Sequence, residues 1–172
     1  MQTMSRFLEL CSRAVSEAGG QIDKFIGETA MAVFLPENHE DTGTQRRAID
    51  AAQRLSLLVQ QWNDERRLHG EEILTCGIGI AAGEAVTGSI GSKRKRLDFT
   101  AIGDTVNLAA RLEKLAARAN TARILAVGLK TSDSLSGWEW QKQPIASVRG
   151  KSEQVEIFGL VPAASATKAT LA

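Results

Sequence analysis

Apolar residues recur at helical spacing in three stretches of this chain and cluster at strand spacing between them. Phe7, Leu10, Cys11, Ala14, Val15 and Ala18 form one face of a helix over residues 1–18, and Gly19-Gly20 supplies a glycine stop. Ala48, Ala52, Leu55, Val59 and Trp62 predict a long helix over 45–68, with Arg46, Arg47, Arg54 and Asp64 mostly off the apolar face and His69-Gly70 as its end. Val106, Leu108, Ala109 and Leu112 predict a third helix after Gly103-Asp104, capped by Asp104 or Thr105.

Residues 21–26 and 29–35 are short β-branched or apolar runs joined across Gly27-Glu28, the pattern of a tight hairpin, and Pro36 with the polar run after it predicts a loop. Residues 73–82 and 85–90, linked by Gly83-Glu84, predict a second hairpin, in which Gly77 and Gly79 indicate close approach of another backbone. Phe99, Thr100 and Ile102 suggest the end of a further strand. Residues 124–127, 138–143 and 155–160 predict three more, with Val148-Arg149-Gly150-Lys151 as a turn between the last two. No internal repeat is visible. Strands alternating with helices, with several hairpins, predict an α+β fold: an antiparallel sheet with helices packed on one face. The segment from Ala163 is small and polar and reads as a disordered tail.

With 172 residues the chain has the length of one domain with a sizeable core. Its 21 basic and 20 acidic side chains leave a net charge of +1, so anion binding must come from local arrangement rather than a global field. Cys11 and Cys76 lie at no metal-ligand or redox spacing and read as reduced thiols of a cytoplasmic protein. No apolar run approaches the ~20 residues of a membrane span, and no signal peptide is visible.

Two local patterns carry candidate chemistry. Asn107 and Arg111 are four apart on the third helix, so they project from one face near its start, where an amide beside a guanidinium can grip a polyanion. The plainer alternative is a satisfied amide and a surface ion pair. Lys93-Arg94-Lys95-Arg96 is either a solvated loop or a source of one or two contacts to a triphosphate. Nucleic acid is a weaker reading, because no aromatic residues interleave with the charges to stack bases.

The string from Thr100 to Glu113, T-A-I-G-D-T-V-N-L-A-A-R-L-E, closely resembles the signature of class III nucleotidyl cyclases, the adenylyl and guanylyl cyclase catalytic domains. I-D-K-F-I-G-E-T-A-M-A-V-F from Ile22 to Phe34 and V-R-G-K from Val148 to Lys151 match further family stretches in the expected order. The resemblance covers roughly residues 5–160, with a tail over 161–172 beyond the domain. It implies a ferredoxin-like core, a nucleotide cyclase fold lacking its first strand.

It further implies conversion of ATP to 3′,5′-cyclic AMP and pyrophosphate, with two Mg²⁺ or Mn²⁺ ions, at sites shared across a homodimer or a heterodimer with another cyclase chain. Asn107 would orient the ribose and Arg111 would bind the α-phosphate in the transition state. Lys24 matches the purine-reading lysine, and Thr100 the partner position that distinguishes adenylyl from guanylyl enzymes. A donor-only lysine suits the acceptor N1 of adenine, and a hydroxyl can accept from its amino group. A surface lysine on a strand is the alternative for Lys24. Arg149 stands where the family usually has a triphosphate-binding lysine, and nearby Lys151 is a second candidate for that task.

Glu28 occupies the second metal-carboxylate position in place of aspartate; a polar hairpin residue is its alternative. The first metal aspartate belongs to a strand reading roughly F-x-D-I-x-G-F, which none of Asp23, Asp98 or Asp104 matches. These departures raise a second reading, a nucleotide-binding partner half that relies on another chain for its metals and turns over little alone. A diguanylate cyclase is a distant third, since no G-G-D/E-E-F-like turn is present.

Overall fold

The computed structural model describes residues 2–38, 41, 43–92, 96–118, 124–129, 135–143 and 156–163. The chain folds as two compact units, one of residues 1–74 and 85–103, the other of 75–84 and 104–172.

The first unit begins with helix α1, Gln2–Glu17, which buries Cys11, Ala14 and Val15. It packs against helix α2, Thr44–Leu68, which buries Ile49, Ala51, Ala52, Val59 and Trp62. Both helices end as their glycines predict. Gly19 (φ +74°) donates to Ser16 O and Gly20 to Val15 O; Gly70 (φ +69°) donates to Arg67 O and Glu71 to Arg66 O. Each pair of bonds satisfies last-turn carbonyls in the Schellman pattern. Burial pushes the Cys11 thiol up to about 11, which keeps it protonated and inert.

Strands β1 (Gln21–Ile26) and β2 (Thr29–Val33) form the expected antiparallel hairpin, with Gly27 at φ +60° in the two-residue loop. One irregularity breaks its register. Ile22 pairs with Ala32 and Lys24 with Met31, so Asp23 is the extra residue of a β-bulge. Strand β4 (Val86–Ser92) pairs in antiparallel register with β5 (Arg96–Ile102), Gly88 opposite Thr100.

Ahead of α2, Asp41 accepts from Arg47 Nη2 (2.8 Å), the Gly43 (2.8 Å) and Glu37 (3.0 Å) amides and the Thr44 hydroxyl (3.2 Å). The Arg47 hydrogen bond above all, then the two amides, hold its carboxyl well below the usual carboxylate range. A carboxyl depressed by folding adds stability that is present above its unfolded pKa, about 3.9, and lost as pH falls through the folded value. The melting temperature of the unmodified protein is therefore expected to exceed that of Asp41→Asn at neutral pH, with the gap closing below about pH 4. A gap constant from pH 7 to pH 3 would show that the carboxylate charge has no part in it.

The second unit holds a four-stranded sheet in the order β3 (Ile78–Ala81), β6 (Ile124–Val127), β8 (Phe158–Pro162), β7 (Trp138–Lys142). The β6–β8 and β8–β7 pairs are antiparallel and β3–β6 is parallel. Helix α3, Asp104–Arg118, lies on this sheet and shares a core of Leu108, Leu112, Ala116, Leu125, Val127, Ile157 and Val161. Helix-on-sheet packing of this kind makes the chain α+β, as its pattern predicts.

The expected hairpin of 73–82 with 85–90 does not form: β3 pairs with β6, and β4 with β5. Two local causes are visible. The Asn63 amide, 8% exposed, accepts from Leu74 N (2.7 Å) and donates to Leu74 O (2.8 Å), so a side chain of α2 takes the place of a strand neighbour there. At the other end Ala82 N donates to Val127 O (3.0 Å), which carries the chain along β6 past the end of the strand. The expected close approach at the glycines does hold. A Cβ on Gly77 would lie 2.3 Å from Ala117 N, and one on Gly79 2.2 Å from Ala109 O, both in the main chain of α3.

Candidate functional site

In the first unit the β-bulge turns Asp23 inward. Its side chain is only 3% exposed, and its Oδ2 accepts the Thr100 hydroxyl at 2.8 Å from the neighbouring strand pair. Thr100 is itself buried, at 5% exposure. The Lys24 ammonium lies 3.3 Å from the same oxygen, its side chain 39% exposed. Lys24 and Thr100, paired in the sequence only by the family resemblance, thus meet through one carboxylate. An ammonium has three N–H donors, so this ion pair leaves donors for an acceptor on a ligand. Asp23 itself was missed as a site residue. The one available signal was a carboxylate adjacent to Lys24 within an otherwise apolar strand, and regular alternation would have sent the two side chains to opposite faces.

In the second unit α3 carries Asn107 and Arg111 on an exposed face, opposite the buried Leu108, Leu112 and Ala116. Among the described residues neither has a hydrogen-bond or ion-pair partner. A backbone turn and one hydrogen bond mark the helix start. Gly103 sits at φ +144°, a conformation L side chains rarely adopt, and Thr105 Oγ1 donates to Glu84 O at 2.6 Å. Thr105, expected as a possible cap, instead ties the first turn to the loop after β3. Gly83 makes room for it, since a Cβ there would meet Thr105 Oγ1 at 2.8 Å. An exposed amide and guanidinium one turn apart, on a helix held by its buried face, can bind a phosphate and a neighbouring hydroxyl together.

Glu28 is exposed in the β1–β2 turn. Divalent cations at a nucleotide site are held by one or two carboxylates together with the substrate phosphates. Among the described residues no group of three His, Cys, Asp or Glu side chains is gathered to hold one, and Asp23 is engaged by Thr100 and Lys24. Of the expected pair of metal carboxylates, the described residues thus supply a match at Glu28. Arg149, Lys151 and, of the basic run, Lys93, Arg94 and Lys95 lie outside the described residues; Arg96 opens β5. No described helix is long and apolar enough to cross a membrane.

Residues 2–161 match the family model of the adenylate and guanylate cyclase catalytic domain. An adenylate cyclase of Anabaena cylindrica is 38% identical over 116 residues, 65% of this chain and 22% of that protein. Adenylate cyclase 1 of Rhizobium meliloti is 30% identical over 169 residues, 96% of this chain and 25% of that protein. The chain thus spans about a quarter of the length of these curated relatives. Among solved structures, the adenylyl cyclase CyaB from P. aeruginosa is 29% identical and superposes with a TM-score of 0.70 over 92% of this chain and 80% of that one. The family match spans the stretches that hold Lys24, Thr100, Asn107 and Arg111, and this chain belongs to the adenylate and guanylate cyclase catalytic domain family.

Proposed function

We propose that this chain is an adenylate cyclase catalytic domain that converts ATP to 3′,5′-cyclic AMP and pyrophosphate at a site shared between two chains. The observation that carries the choice of ATP is the pairing of Lys24 and Thr100 through Asp23. Adenine offers an amino donor at N6 and an acceptor at N1, whereas guanine offers an acceptor at O6 and a donor at N1. Lys24 donates and Thr100 accepts, which complements the first edge and opposes the second. The names of the relatives agree with this reading.

In the reaction the ribose 3′ hydroxyl attacks the α-phosphorus and pyrophosphate departs. Asn107 holds the ribose so that the 3′ oxygen lies in line with the leaving group, which turns binding energy into orientation. Arg111 binds the α-phosphate oxygens, whose charge rises in the transition state, and a guanidinium already placed there needs no reorganisation. Arg149 and Lys151 are assigned to the outer phosphates. The family generally uses Mg²⁺ or Mn²⁺, which neutralise phosphate charge when bound. Glu28 is this chain's own candidate for one carboxylate ligand; in the site that uses this chain's Asn107 and Arg111, the partner chain would supply the metal carboxylates. That incomplete set favours a second reading, a nucleotide-binding half that works only beside another cyclase chain.

The base assignment is tested by equilibrium binding of ATP and GTP to the unmodified protein and to Lys24→Glu combined with Thr100→Cys. A well-placed donor or acceptor in a buried site is worth about 1–3 kcal/mol, so the ATP:GTP ratio is expected to fall at least several-fold in the double variant. The ratio is the readout, because a glutamate at 24 would also face Asp23 and weaken both nucleotides. Equal binding of ATP and GTP by the unmodified protein would overturn the assignment.

A further inference from the structure

The Thr100 hydroxyl has one proton and two lone pairs, and free in solution it can present either to a ligand. Such a group reads no base, since it would donate to guanine O6 as readily as it accepts from adenine N6. In this fold the proton is committed. Asp23 Oδ2 takes it at 2.8 Å, while the other acceptor in reach, the Ala101 carbonyl, is at 3.4 Å. A short bond to a carboxylate outcompetes a long one to a neutral carbonyl. The same oxygen lies 3.3 Å from the Lys24 ammonium. An aspartate in regular alternation on β1 would face away from Lys24; the bulge brings it to the same side.

We propose that Asp23 is a specificity-determining positioning residue, which fixes Thr100 as an acceptor and aims Lys24 as a donor. The two then read adenine as one unit. The inference rests on the adenine-reading role proposed above for Lys24 and Thr100, and adds the residue that makes that role one-directional. Asp23 touches neither base nor phosphate in this scheme and acts through its two neighbours. Without its carboxylate the hydroxyl can rotate, and guanine O6 finds a donor where it had met a lone pair.

The test is a double-mutant cycle read as the ratio of ATP to GTP binding, measured by calorimetry on the whole chain. Asp23→Asn keeps the shape but lets the amide nitrogen donate to Thr100, freeing the hydroxyl proton; the ratio is expected to fall roughly tenfold, mainly through a gain in GTP affinity. A merely structural role would weaken both nucleotides and leave the ratio unchanged. Thr100→Val removes the hydroxyl, and on that background Asp23→Asn is expected to change the ratio far less, by only the part that acts through Lys24. If the unmodified protein prefers ATP and Thr100→Val abolishes the preference while Asp23→Asn leaves it intact, Asp23 has no such role and the reading of Lys24 and Thr100 stands. If the unmodified protein shows no preference, that reading fails and the role of Asp23 falls with it.

A second measurement does not depend on the stability of the Asp23 variant. The Thr100 hydroxyl proton, assigned by its disappearance in Thr100→Val, is expected as a distinct proton resonance in slow exchange with water. Exchange too fast to observe, as for a surface hydroxyl, would overturn the inference.

Discussion

Arg111→Ala is expected to lower turnover roughly a hundredfold or more while changing apparent ATP affinity far less. The experiment pairs this chain with a cyclase chain that keeps its metal aspartates but carries alanine at its own transition-state asparagine and arginine. The one complete site then draws Asn107 and Arg111 from this chain, and kcat and KM are measured for cyclic AMP formation. The structure makes the variant a clean one. Arg111 lies on the exposed face of α3, and the core beneath it is Leu108, Leu112 and Ala116, so truncation opens no cavity. Surface changes of this kind stay within about 0.5 kcal/mol in stability. A collapse of affinity with turnover preserved would make Arg111 a ground-state phosphate binder instead.

Gly79→Ala is the second large effect, and here the expected loss is of the fold. On backbone entropy alone, replacing a glycine by alanine at a compatible site stabilises a protein by about 0.4–1 kcal/mol. At Gly79 the added carbon would stand 2.2 Å from Ala109 O and 2.4 Å from Glu113 N. Both are main-chain atoms of α3, so no flexible side chain can move aside. Overpacking costs about 1–3 kcal/mol or more, which outweighs the entropic gain and reverses the sign. Denaturant unfolding should show a lower midpoint for Gly79→Ala, and cyclase activity should fall with it, because α3 carries Asn107 and Arg111. Gly88→Ala is the control: it adds the same methyl where nothing lies within 4 Å. Equal stability of the two variants would contradict the close approach of α3 to β3.

These cases mark how far the fold and site were legible. The helices of residues 2–17 and 44–68 follow from apolar spacing, and their ends from Gly19 and Gly70, because periodicity and left-handed glycine caps act within a few residues. The Gly27-Glu28 turn was legible for the same reason. So was the meaning of Gly77 and Gly79, although what approaches them was not. The strand over 73–82 was read too long and given the wrong partner. Asn63, eleven residues upstream of Leu74, satisfies that backbone with its side chain, and no β-propensity registers such a bond.

The site divides along the same line. Asn107 and Arg111 share a face by helical geometry, which any reading of the sequence supplies. Lys24 and Thr100 could be paired through the family resemblance, but not the link between them, because the Thr100 bond spans 77 residues and runs to Asp23. By itself the sequence determined the helices, their caps, the first hairpin and the spacing of the α3 pair, all products of interactions between residues near in the chain. Only the tertiary structure decided that β3 lies beside β6, that β4 pairs with β5, and that a bulge turns Asp23 onto Thr100. Strand pairing and the aim of a bulged side chain depend on which distant segments bury their backbone groups against one another, and that is settled only when the whole unit closes.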